Sequence, residues 1–283
     1  MNEAQKRLLE MYKDIRQILE SHDITFYVQY GTAIGALRHD GFIPWDDDID
    51  ILLWEKDMEL AGKVLSEELD SDRYWYHEST ADTHPHVIYR GDDLEKGLME
   101  RNAPFIDLFP IDVYPEGKLR SKLANILIWG NVGTIWAIDH VKSLTLHRML
   151  CWVPRVFKRM EIGICERDTR MTVVYSTGFG HCIFPADYYG KPFKHVFEDD
   201  EVPLPHEIDK MLTHIFGDYM TPPPEDKRTG AGGFPCSVCK DLELEMRRNR
   251  PRSGKRLEPR HTLLITCHHP LDKLVGRERY GQH

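Results

Sequence analysis

Cysteine is scarce and irregularly placed, six in 283 residues. That excludes a disulfide framework and fits reduced thiols in a reducing compartment. Long apolar runs are missing too. The longest uncharged stretch, Leu123 to Ile138, is broken by Asn125, Gly130, Asn131 and Gly133, and it falls short of the roughly 20 residues a spanning helix needs. It predicts a buried helix. The opening MNEAQKRLLE has no basic segment leading into an apolar one, so a secretory signal is not expected. Positive charge is not in excess: the formal net charge is -9, which argues against nucleic acid as the main partner. There is no internal repeat. A hydrophobic content of 41% beside 29% charged residues describes a globular chain able to bury a substantial core.

Charge is unevenly distributed along that chain. Acids crowd the first third, whereas Arg247, Arg248, Arg250, Arg252, Lys255, Arg256 and Arg260 are opposed by Glu258 alone. Basic residues also flank the Leu123–Ile138 run, with Lys118, Arg120 and Lys122 before it and Arg148, Arg155, Lys158 and Arg159 after. These features predict a cytoplasmic protein that touches the inner face of an anionic membrane peripherally.

Hydrophobic periodicity gives the elements. Leu8, Tyr12, Ile15 and Leu19 recur at helical steps. Ile24, Phe26, Val28 and Tyr30 alternate as a strand, a short helix is expected over Ala33–His39, and Asp48–Leu53 reads as a second strand antiparallel to the first. A helix over 55–69 and strands at 87–89 and 105–113 follow. Residues 118–150 and 155–172 read as mostly helical, then come a hairpin at 194–202 and a helix near 207–219. The expected organisation is α+β, with a mixed central sheet flanked by helices and a largely helical C-terminal half. It divides into a domain over residues 1–228 and a basic, poorly ordered tail over 229–283.

The chemistry concentrates in YGTAIGALRHDGFIPWDDDIDILL, residues 30–53. Strand alternation puts Asp46, Asp48 and Asp50 on one face and Ile49 and Ile51 on the other. Carboxylates so close repel one another, and a hard divalent cation such as Mg²⁺, or Mn²⁺ in its place, relieves that repulsion through oxygen ligands. Gly31-Thr32 after a strand lets backbone N–H groups approach a phosphate. Strand, Gly-Thr, short helix and acidic strand in that order describe the core of the nucleotidyltransferase fold.

The segment GTAIGALRHDGFIPWDDDIDI resembles the signature of the LicD family, whose members attach phosphocholine to bacterial surface glycans and share a core with the fukutin-related transferases. FIDLFPIDVYP, residues 105–115, is similar to that family's second motif. HEIDKMLTHIFGDYMTPPPEDKR, residues 206–228, is similar to its C-terminal helix and Pro-rich close. The resemblance implies Asp48 and Asp50 as catalytic metal ligands, with Asp46 a ligand or their supporting neighbour. Asp107 becomes a further ligand or a general base, Gly31 and Thr32 contacts to donor phosphates, and Arg38 a partner of the departing phosphate. It further implies a CDP-alcohol donor such as CDP-choline and a hydroxyl acceptor on a cell-surface glycan, lipopolysaccharide or teichoic acid, or on its lipid-linked precursor.

Two other functions compete. One transfers the nucleotide itself to a small acceptor, and the other is a non-catalytic scaffold on the same fold. Other residues read as structural. His84 and His86, flanking Pro85, read as a surface turn, His39 as structural and Trp45 as packing under the acidic loop. Asp112, five residues after Asp107, falls on the opposite strand face. Cys236, Cys239, Cys267 and His268 offer four zinc ligands on paper, but the second pair is irregularly spaced, and unpaired thiols in a loose tail are the favoured reading over a structural zinc site.

Overall fold

A computed structural model describes residues 1–78, 82–91, 103–141, 143–164, 170–176, 180–228 and 230. The basic stretch 247–260 and the Cys236, Cys239, Cys267 and His268 group lie outside the described residues. The chain begins with helix α1 (Glu3–Ser21), started by an Asn2–Gln5 capping box that satisfies two otherwise orphan N–H groups. Leu8, Met11, Tyr12, Ile15 and Leu19 form its fully buried stripe. Strand β1 (Phe26–Val28) then leads into α2 (Tyr30–His39), β2 (Asp48–Trp54) and α3 (Glu55–Glu68). Strands β3 (Tyr74–His77), β4 (His86–Tyr89) and β5 (Phe105–Tyr114) follow, then helices α4 (Lys118–Asp139), α5 (Leu144–Leu150) and α6 (Val153–Ile162). Strands β6 (Met171–Ser176) and β7 (Gly180–Pro185) precede the separate hairpin β8 (Phe193–Phe197) and β9 (Asp200–Leu204), and helix α7 (Ile208–Phe216) comes last.

The main sheet runs β1-β2-β5-β4-β3, with β6 on β5 and β7 on β6. Strand β5 is its axis. Along one edge it pairs in parallel with β2. Along the other it pairs antiparallel with β4 at its start and with β6 at its end. The β2–β5 pair is covered on both faces, and its sequences DIDILLW and FIDLFPIDVY are accordingly near-continuous apolar runs interrupted only by acids and one proline. Ile49, Ile51, Leu53, Ile106 and Leu108 face a core made with α1 and α3. Leu52, Phe109 and Ile111 face a second cluster with Tyr27, Tyr30, Phe184, Tyr189 and Met211.

Several sequence expectations are corrected. The first strand stops at Val28, and Tyr30 opens α2 with a positive φ of 51°, so alternation does not reach it. The helix starts at Tyr30 rather than Ala33. The helical pattern expected up to residue 172 ends at Ile162, and 171–176 is a strand. MTVVYS is rich in β-branched residues and finds its partner in the end of β5 that β4 leaves unpaired, a tertiary fact that a local pattern does not contain.

Candidate active site

Sheet register lines up a row of polar residues across four strands and the residue that follows β1. The Gln29 N–H donates to the Asp50 carbonyl at 3.2 Å. Asp50 stands beside Asp107 in the parallel β2–β5 register, Asp107 opposite His86, and His86 opposite His77. All five side chains are buried. Because side chains alternate along a strand, residues in register share a face. This row therefore lies on the face opposite α1 and α3, one step from the apolar pair Leu52 and Phe109.

Asp48, Asp50 and Asp107 each bring a carboxylate oxygen within 4.8 Å of the others. Asp107, far along the chain from the other two, is thus brought beside Asp48 and Asp50 by the β2–β5 pairing. Asp48 is 8% exposed. Burial, reinforced by the charges of Asp50, Asp46 and Asp107, pushes its pKa well above the ordinary carboxylate value. So costly a buried negative cluster fits a divalent cation with oxygen ligands.

Asp46 reaches Asp48 but not by strand alternation. It precedes β2, in a turn closed by its own N–H to the Ile43 carbonyl at 2.9 Å. Buried Gln5 on α1 holds that turn, donating from Nε2 to the carbonyls of Ile43 and Asp46, both at 3.1 Å. The Asp46 carboxylate lies against Gly31, where an added Cβ would come 2.7 Å from Oδ2. A side chain at position 31 would therefore displace the Asp46 carboxylate. The Thr32 hydroxyl accepts from the Asp50 N–H at 2.9 Å and pins β2 to α2 from a buried position. Arg38 is half-buried; it donates from Nη1 to the Tyr219 carbonyl at 2.6 Å and from Nε to His39 Nε2 at 3.0 Å. Arg228 lies over the Trp45 ring at 4.9 Å. These two contacts bring the C-terminal motif back onto the acidic loop.

The expectation that His84 and His86 form a surface turn is wrong. Both are buried against Asp107. His86 Nδ1 sits 2.5 Å from Asp107 Oδ1, and its Nε2 sits 2.9 Å from Asp82 Oδ2. His84 Nε2 is 3.2 Å from the same Asp107 oxygen. Burial alone would lower the His86 pKa, but Asp82 and Asp107 raise it to about 10. Burial alone would raise the Asp107 pKa, but the charges of His84 and His86 and the His86 hydrogen bond hold it below the usual carboxylate range. A signal was present in the sequence. A histidine heading the apolar run Val-Ile-Tyr belongs to a strand, and a strand that enters this sheet puts it on one of two buried faces. Asp112, in contrast, faces away as expected and pairs with Lys158 Nζ on α6 at 2.5 Å.

Residues 23–155 match the nucleotidyltransferase domain of LicD, FKTN and FKRP. Over that stretch the chain is similar to the LicD family. It is 24% identical over 258 residues to the lipopolysaccharide cholinephosphotransferase LicD of Haemophilus influenzae, covering 80% of this chain and 93% of that protein. It is also 24% identical over 121 residues to the ribitol 5-phosphate transferases FKRP of mouse and human, covering 41% of this chain and 22% of those proteins. Within the LicD-family match fall the Gly31-Thr32 turn, Asp46, Asp48, Asp50, both histidines and Asp107.

Proposed function

We propose that this enzyme moves a phospho-alcohol group, phosphocholine or a close relative, from a CDP-activated donor to a hydroxyl of a cell-surface glycan or its lipid-linked precursor. The observation that carries this reading is the buried convergence of Asp48, Asp50 and Asp107 inside a domain whose relatives are a cholinephosphotransferase and ribitol 5-phosphate transferases. A Mg²⁺ or Mn²⁺ ion held by Asp48, Asp50 and Asp107, with Asp46 adjoining, would neutralise charge on the transferred phosphoryl group.

The chain's own residues do the rest by positioning. Tyr30 in its left-handed conformation and the Gly31-Thr32 turn start α2 at the edge of the cluster, so the first N–H groups of the helix face incoming phosphates. Arg38 neutralises the departing nucleotide phosphate. The acceptor hydroxyl forms the new O–P bond, CMP leaves with the electron pair of the broken P–O bond, and the hydroxyl proton passes to the carboxylate cluster. Asp107, a weak base between its histidines, is better suited to hold a cation than to take that proton.

An anionic membrane surface is the proposed place of action, on the cytoplasmic side. Among the described residues no helix is long and apolar enough to cross a membrane. Yet α4 presents Leu119, Leu123, Ile126, Trp129 and Trp136 to solvent, at 44 to 73% exposure. Their spacing confines them to one side of the helix, beside Lys118, Arg120 and Lys122. The expectation that this run is simply buried is corrected: only its Ala124, Ile128, Ile135 and Ile138 side turns inward. Apolar residues with adjoining cations suit insertion at the headgroup level.

The test of the activity incubates full-length protein with a panel of CDP-alcohols, Mg²⁺ and a lipid-linked glycan acceptor. CMP release with an acceptor gaining the mass of a phospho-alcohol supports the reading. An acceptor gaining the nucleotide would overturn it in favour of nucleotidyl transfer.

A further inference from the structure

We propose a second metal site beside the acidic one, formed by His84 Nε2, His86 Nδ1 and Asp107 Oδ1, that takes a first-row transition cation such as Mn²⁺ or Zn²⁺ and shares Asp107 with the Asp48–Asp50–Asp107 site. The three ligand atoms lie within 4.8 Å of one another on buried residues. His84 Nε2 is buried and points at Asp107 Oδ1 from 3.2 Å, an ion-pair distance without hydrogen-bond alignment. A cation held between the two would satisfy the nitrogen better than that contact does.

Both rings are already oriented as metal ligands require. A ligating histidine commonly uses its other nitrogen on a carboxylate or hydroxyl, which fixes the ring and raises its donor strength. His86 does so through Nε2 to Asp82 Oδ2 at 2.9 Å, and His84 through Nδ1 to Thr83 Oγ1 at 2.7 Å. Bonds of about 2.1 Å set ligand atoms roughly 3.0–3.4 Å apart in octahedral or tetrahedral geometry. The 3.2 Å His84–Asp107 contact is at that spacing, and the 2.5 Å His86–Asp107 contact must open by about half an ångström.

Imidazole nitrogens turn this site away from Mg²⁺ and towards transition ions. The neighbouring oxygen-only set remains suited to Mg²⁺. A carboxylate has two oxygens, so Asp107 can face one ion on each side, as in paired-metal phosphoryl-transfer centres. Asp46, Asp48, Asp50, Asp82 and Asp107 lie in this small region, so a second divalent ion would still meet a negative environment after displacing the proton that His86 holds between Asp82 and Asp107.

The experiment titrates Mn²⁺ into metal-free full-length protein, counting bound ions by equilibrium dialysis and detecting nitrogen ligands by pulsed EPR. Two ions per chain are expected, one of them with ¹⁴N coupling that survives excess Mg²⁺. His84→Ala and His86→Ala should each abolish the coupling and remove one ion, whereas Asp48→Asn should keep the coupling. Wild-type protein that binds one Mn²⁺ without ¹⁴N coupling would overturn the second site while leaving the proposed phosphotransfer standing. Coupling unchanged in His84→Ala would overturn it equally. The wild-type spectrum decides the matter even if a histidine variant fails to fold.

Discussion

The sheet region and the α4–α6 region distribute polarity in opposite ways. In the sheet, acids and histidines are buried across β2, β5, β4 and β3. In the helices, tryptophans, leucines and methionines stay exposed: Trp129 and Trp152 at 54 and 60%, Leu119 and Met149 at 73 and 64%. Each arrangement costs stability taken alone, because buried charge is desolvated and exposed apolar surface stays wet. The contrast is what the proposed function builds on, with a cation and phosphates assigned to the buried acids and an apolar boundary to the exposed helix face.

The largest expected effect tests the buried side of that contrast. Asp48→Asn or Asp50→Asn should lower turnover on the order of 10³-fold, because each removes a ligand at the centre of the cluster. Without metal, Asp48→Asn should be more stable than wild type by roughly 1–2 kcal/mol, since a repelled charge is lost. Activity assays and melting curves in EDTA check both signs. A variant as active as wild type would remove the acidic cluster from the mechanism.

Next in size is Gly31→Ala. The new Cβ would meet Asp46 Oδ2 at 2.7 Å, and displacing that carboxylate should cost about 1–3 kcal/mol of stability. Turnover should fall with it. Unfolding curves paired with kinetics would show whether the two losses travel together, and a full-strength Gly31→Ala enzyme would mean Asp46 is dispensable.

Where the two regions meet, Glu161 on α6 is 2% exposed. Burial, with Asp112 and Glu55 adding and Lys158 opposing, raises its pKa to about 8. For an acid raised above its ordinary 4.5, the folded state prefers the protonated form. Its contribution is therefore fully present below about pH 4.5 and is lost as pH rises through about 8. Glu161→Gln should flatten the fall in stability over that window, an effect on the kcal/mol scale. Melting temperatures of both proteins from pH 5 to 9 give the slope, and parallel curves would show that Glu161 does not titrate there.

The smallest effect on stability is expected from the exposed side. Ile126→Ser combined with Trp129→Ser should change stability within about 0.5 kcal/mol, as surface substitutions do. The same change should abolish flotation with anionic vesicles. Retained flotation, or a large drop in melting temperature, would show that the apolar face packs within the protein instead.

What the sequence determined by itself is the local part. Asp48 and Asp50 alternate with Ile49 and Ile51, so any strand there presents two acids to one face. The apolar stripe of α1 was legible for the same reason, as a period of 3.6 written into neighbouring residues. Gly31-Thr32 was read from the backbone freedom of glycine after a strand, and Asp107 from the resemblance of its motif to the LicD family. The tertiary structure alone decided which distant residues join them. Register between β2, β5 and β4 brings His86 against Asp107, and Gln5 on α1 closes the turn that carries Asp46. It also decided that 171–176 extends the sheet, and that one side of α4 remains uncovered. Local periodicity specifies which face a side chain takes on its own element, but pairing between elements is set by burial summed over the whole core, and no short stretch of sequence contains that sum.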